Sequence, residues 1–134
     1  YFRKKENISF YRIGKREVEG GLNVPITTEY KKGVVCIQLE GELDMNTVAL
    51  FREKVDFALA VHGANKLLLN FAKVTFIDSS GLGVILGRYK KIIMLGGKIV
   101  VVKLPSQIER ILDLSGLLKL IPVYATEEEA LSSF

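Results

Sequence analysis

Apolar residues along this chain keep two different periods, and the changes between them outline a fold. Val24 to Tyr30 and Val34 to Leu39 are short β-type runs separated by Lys31-Lys32-Gly33, which predicts a hairpin whose second strand is apolar on both faces. From there the spacing becomes helical. Val48, Phe51, Val55, Ala58 and Leu59 fall on one side with Arg52, Glu53, Lys54 and Asp56 elsewhere, preceded by Asp44 and Asn46 and ended near His62-Gly63. Lys66-Leu67-Leu68-Leu69-Asn70-Phe71 is too apolar for an edge strand and belongs in mid-sheet. A second helix opens at Ser79-Ser80, repeats Leu82, Ile85, Leu86, Tyr89 and Ile92 or Ile93, and stops at Gly96-Gly97. Lys98 to Val102 reads as a strand, and Pro105 opens a helix with Ile108, Ile111 and Leu112 on one face, halted around Ser115-Gly116. Leu120 to Tyr124 is a last short strand. Thr126 followed by Glu127-Glu128-Glu129 starts a capped helix that turns Ala130 and Leu131 inward.

The order is ββαβαβαβα. It predicts an α/β fold, a small open mixed sheet of about five strands with about four helices and right-handed crossovers. Ahead of it, residues 1–21 alternate charges with isolated Phe2, Ile8, Phe10, Tyr11 and Ile13 and keep no period, so they read as a basic N-terminal arm, weakly ordered or not native, before a domain at 22–134.

Charge and composition narrow the function. The net charge is +4, but six of the Lys and Arg residues and only three Glu lie in 1–21, which leaves the folded part almost neutral. A basic stripe with stacking aromatics is missing there, which argues against nucleic-acid binding. The single cysteine, Cys36, sits in an apolar run, so no disulfide framework exists and it reads as a small buried hydrophobe in a reducing compartment. Apolar runs fall far short of the roughly 20 residues of a membrane span, and no secretory signal occurs in order. The expectation is a cytoplasmic protein with no membrane partner.

The candidate chemistry gathers at Phe76-Ile77-Asp78-Ser79-Ser80-Gly81-Leu82-Gly83-Val84. Ser79 suits the N-cap, and the free N–H groups and positive dipole end of a first helical turn would stabilise a phosphate added there. The blander reading is that Ser79 only caps the helix and Ser80 fills its first turn; capping and switching can coexist. Gly81 and Gly83 keep the turn free of bulk for a partner or phosphate, and Gly87 reads as a helix-packing glycine. Gly81-Leu82-Gly83 with Gly87 is one residue longer than a dinucleotide fingerprint, and no ribose-binding acid ends the next strand. A serine hydrolase would need a base, yet no GxSxG elbow exists and His62, beside a helix-ending glycine, is the only histidine. Glu40, Glu42, Asp44 and Asp78 have no EF-hand spacing, and Glu42 and Asp44 read first as loop solvation and capping. No catalytic residue, metal or cofactor is expected.

Three motifs in order then carry a resemblance. Gly41-Glu42-Leu43-Asp44, the Phe76 to Val84 run and Asp113-Leu114-Ser115-Gly116-Leu117 make 24–134 resemble the STAS domain of bacterial anti-sigma-factor antagonists, and Asp78 to Lys90 looks most like its stage II sporulation branch in the sigma-F pathway. The resemblance implies a protein that is not an enzyme but the substrate and partner of an ATP- or ADP-bound anti-sigma serine kinase. Ser79 would be the phosphate acceptor, Ser80 its neighbour, Asp44 and Asp78 the frame, and a PPM-type phosphatase would reset it. A partner would meet Asp44, Asn46, Asp78, Ser79, Ser80, Gly81, Leu82 and Gly83. The alternatives are a STAS domain in general stress signalling or a scaffold, and, in another class, a small nucleotide-binding protein. Residues 1–21 lie outside the resemblance; Val18-Glu19-Gly20-Gly21 would even translate a purine-rich ribosome-binding sequence.

Overall fold

The computed structural model describes residues 25–134 in full and, before them, the backbone of three short strands: β1 (Phe10–Ile13), β2 (Arg16–Glu19) and β3 (Leu22–Asn23). These pair as a small antiparallel sheet in the order β1-β2-β3. Backbone hydrogen bonds carry this pairing, so it needs no side-chain alternation. The other residues on which the expected weakly ordered arm rests lie outside the described residues.

The main sheet has five strands in the order β4-β5-β6-β7-β8: Ile26–Lys31, Val34–Leu43, Lys66–Ile77, Lys98–Val102 and Val123–Tyr124. β4 and β5 form the antiparallel hairpin, turned by Lys32 and Gly33 at φ 56° and 78°, and every later pairing is parallel. Its helices are α1 (Val48–His62), α2 (Ser79–Met94), α3 (Ser106–Leu114) and α4 (Glu127–Ser132). This is the α/β mixed sheet with four helices that the periods require. Gly63 stops α1 in the left-handed conformation at φ 57°.

The sheet has two unlike faces. Val35, Ile37, Leu39, Leu67, Leu69, Phe71, Ile99 and Val101 pack with Phe51 and Val55 of α1, Val84, Ile85 and Ile92 of α2, and Ile108 and Leu112 of α3. Their burial is favourable by roughly 25 cal/mol for each Å² of apolar surface taken out of water. Val34, Cys36, Leu68, Val100 and Val102 point to the other face, where Ala130 of α4 covers them.

Two elements differ from their predicted extents. β6 runs on past Phe71 to Ile77, pairing there with β5 alone through register shifts at Gln38/Glu40 and Gly41/Glu42. This two-stranded extension exposes Ala72, Lys73, Thr75 and Phe76, so the apolar run ends before the strand does. β8 shrinks to two residues because Leu117–Lys119 winds into a 3-10 turn and Pro122 has no N–H to donate. Gly87 meets nothing within 4 Å at a Cβ position, so it is not the packing glycine that its spacing suggests.

Candidate functional site at the mouth of the second helix

The extended β5–β6 pair delivers the site. Leu43 and Ile77 end these strands in register, so the chain leaves them side by side, as the β5–α1 loop and as the mouth of α2. The Asp78 N–H donates to the Leu43 carbonyl at 3.3 Å, continuing the pairing for one more residue.

Asp78, not Ser79, is the N-cap of α2. Its backbone is extended, at φ −100° and ψ −172°, and Oδ1 accepts the Gly81 N–H at 2.9 Å. The other oxygen, Oδ2, accepts the Met45 N–H at 3.2 Å from across the loop. This corrects the expectation that Ser79 caps the helix: a carboxylate one residue earlier has already taken that place. Ser79 is instead the first helical residue, exposed, and its hydroxyl has no hydrogen-bond partner among the described residues. Ser80 follows, half-buried.

The facing loop is held from within. The Thr47 hydroxyl donates to the Glu42 carbonyl at 2.9 Å and accepts the Asp44 N–H at 3.0 Å, while Asp44 Oδ1 accepts the Asn46 N–H at 2.9 Å. Thr47 stands at the N-cap of α1 but makes no side-chain cap bond. Asp44 therefore orders the loop rather than capping α1. Among the described residues, no group of three or more His, Cys, Asp and Glu side chains could hold a metal ion.

The glycines divide. Gly81 is buried, and a Cβ there would collide with the Leu43 carbonyl oxygen and lie 2.8 Å from Ile77 Cγ2. Its missing side chain thus serves the seating of α2 on β5, not the access of a partner to the first turn. Gly83 is exposed with nothing within 4 Å, and Leu82 packs partly against the core. Asp44, Asn46, Asp78, Ser79, Ser80, Leu82 and Gly83 all gather at this one end of the sheet.

The family model of the STAS domain matches residues 25–130. The chain belongs to the STAS domain family. Within it, the chain is 40% identical over 111 residues to the anti-sigma F factor antagonist of Paenibacillus polymyxa, across 83% of this chain and 95% of that one. Two solved structures share the fold at a TM-score of 0.64: the anti-sigma factor antagonist SpoIIAA in its unphosphorylated form (28% identity, 81% of this chain, 96% of that one) and the Bacillus cell fate determinant SpoIIAA in the phosphorylated form (30%, 81% and 97%). The named relatives of this STAS domain are regulators rather than enzymes.

Sequence reasoning missed Met45. This STAS domain exposes 74% of Met45 on the loop that Asp78 holds, with 46% of Phe76 exposed at the end of β6. The available signal was an apolar residue inside the polar run Asp44-Met45-Asn46. His62 lies far from the mouth, at the C-terminal end of α1, stacked on Tyr30 with ring centroids 4.0 Å apart. Among the described residues no helix is long and apolar enough to cross a membrane.

Proposed function

We propose that this STAS domain is an anti-sigma-factor antagonist switched by phosphorylation of Ser79. In the unmodified state it binds an anti-sigma serine kinase carrying ATP or ADP and so frees a sigma factor; the similarity to an anti-sigma F factor antagonist supports a reading in the sigma-F pathway. A phosphate on Ser79 ends the association, and a PPM-type phosphatase restores it. The protein acts as substrate and partner, not as a catalyst, and works in the cytoplasm.

One observation carries the reading: the Ser79 hydroxyl is exposed and unbonded in the first turn of α2, while Asp78 does the capping. Modification then removes no bond on which the fold depends. The helix end tolerates about −1.5 to −2 of added charge, whereas a partner surface matched to neutral Ser79, beside Asp78 and Asp44, would be repelled.

The test is capture from the source lysate on immobilised wild type, Ser79→Ala and Ser79→Asp, with phosphate mapped after incubation with ATP. A serine kinase retained by wild type and Ser79→Ala, lost on Ser79→Asp, and phosphate on Ser79 are expected. Equal capture by Ser79→Ala and Ser79→Asp, or phosphate on Ser80 alone, would overturn the proposal.

A further inference from the structure

The sheet face away from α1, α2 and α3 carries a polar row that the switch does not use. Thr27 stands opposite Gln38, Gln38 beside Asn70, and Asn70 beside Val102, one register line across β4, β5, β6 and β7. The neighbouring line on the same face is Cys36, Leu68 and Val100, which α4 covers. Where α4 begins, the polar row opens into a cleft of about 230 Å³, with Lys31, Lys103, Glu29, Glu127 and Glu128 around it.

Most of these charges satisfy one another. Lys31 Nζ lies 3.1 Å from Glu127 and 3.3 Å from Glu29, and Asn70 Nδ2 donates to Glu127 Oε2 at 3.0 Å. Asn70 is 95% buried in a strand otherwise made of Leu and Phe at this depth, and only one of its two amide hydrogens has an acceptor among the described residues. Burying such a group is costly unless it serves a structure or a ligand. The Lys103 ammonium makes no hydrogen bond or close ion pair among the described residues, its charge acting on Glu127 only from a distance, and the Glu128 carboxylate makes none either. Lys103 also holds a left-handed backbone, φ 59°, directly after β7, fixed by its N–H to the Tyr124 carbonyl at 3.1 Å. A non-glycine residue in this region is strained, and such strain is found where a side chain is held for a purpose.

We infer that this cleft is a second binding site, for a free α-amino acid. One unpaired ammonium and one unpaired carboxylate beside a neutral donor row fit a small zwitterion: its carboxylate meets Lys103 and the spare Asn70 N–H, and its ammonium meets Glu128. A plain anion is disfavoured, because three carboxylates line the cleft against two ammoniums. The site lies on the face opposite α2, so it stands or falls independently of Ser79.

The experiment is an NMR titration of the whole chain with glutamine, with sodium acetate, methylammonium, inorganic phosphate and ATP as separate probes. Glutamine is expected to shift the Thr27, Gln38, Lys103 and Asn70 side-chain amide signals saturably at millimolar concentration, leaving Ser79 to Gly81 unmoved. Lys103→Met and Glu128→Gln, both at exposed positions, are each expected to weaken binding about tenfold or more while the melting temperature holds. Acetate binding as tightly as glutamine, saturation by phosphate or ATP alone, or the absence of any saturable shift would overturn the assignment.

Discussion

Asp78 accepts the backbone N–H of Met45, 33 residues earlier in the chain, with the carboxylate oxygen that its cap bond to Gly81 leaves over. One side chain thereby fastens the β5–α1 loop to the mouth of α2. Both oxygens are needed, since an amide has only one acceptor. Asp78→Ala is expected to lose about 1–2 kcal/mol of stability through the cap alone. Asp78→Asn is expected to keep the cap and lose the loop. Hydrogen exchange reads the difference: faster exchange at Met45 with Gly81 still protected supports the two-oxygen bridge, and unchanged Met45 protection would refute it.

Gly81 and Gly83 occupy one helix two residues apart, yet they should answer the same substitution with opposite signs. A methyl at Gly81 meets the Leu43 carbonyl and Ile77, so Gly81→Ala is expected to cost about 1–3 kcal/mol through displacement of α2 from β5. A methyl at Gly83 meets nothing within 4 Å and removes the entropy penalty of a helical glycine, so Gly83→Ala should gain about 0.5–1 kcal/mol. Denaturant midpoints of the two variants decide it. If Gly83→Ala stays stable but no longer captures the kinase, the exposed glycine is also a contact position.

The strand and helix order and the mid-sheet place of β6 could be read from the sequence, because periodicity and Gly stops depend on local residue type, while the gathering of the serines with Asp44 and Asn46 was legible only through the family resemblance. The cap could not. Asp and Ser are both good N-caps, and the choice between Asp78 and Ser79 follows from the Leu43–Ile77 register, which only the folded sheet sets. The sequence reading of Gly81 as the access glycine and Gly87 as the packing glycine is reversed in the fold, since what a glycine makes room for is decided by the element opposite it. Met45 escaped for the same reason: its tie to Asp78 spans two loops that periodicity treats separately.

Glu127 links stability to pH. Burial pushes its carboxyl up, but the hydrogen bonds from Asn70 and Lys31 outweigh this and hold it below the usual carboxylate range. Its stabilisation is therefore complete above the ordinary glutamate pKa of about 4.3 and is lost as pH falls through the lower folded value. Lys31 is raised, chiefly by its hydrogen bond to Glu127, so its share is lost only as pH rises past the ordinary lysine range of about 10.4. Stability measured against pH should accordingly fall less steeply below pH 4 in Glu127→Gln than in wild type. Parallel acid limbs would mean that the Lys31–Glu127–Asn70 contact contributes nothing in solution.

Cys36 offers a way to watch α4 leave the sheet. Burial pushes its thiol up to about 11, with the Lys31 charge pulling slightly the other way, so at pH 8 only about one thiol in a thousand is ionised. A thiol reagent must therefore wait for an opening, and the element to open is α4, which covers the Cys36 cluster through Ala130 and is tied down at its two ends by Glu127 and by the Lys98 bond to the Ser133 carbonyl at 2.8 Å. Removing the Glu127 anchor costs about 1–2 kcal/mol, which raises the open population about five- to thirtyfold. Glu127→Ala is expected to speed Cys36 modification by that factor while exchange at Val35 and Leu69, on the other face of the sheet, hardly changes. Equal acceleration on both faces would show that the whole domain opens together and that α4 is not a separate unit.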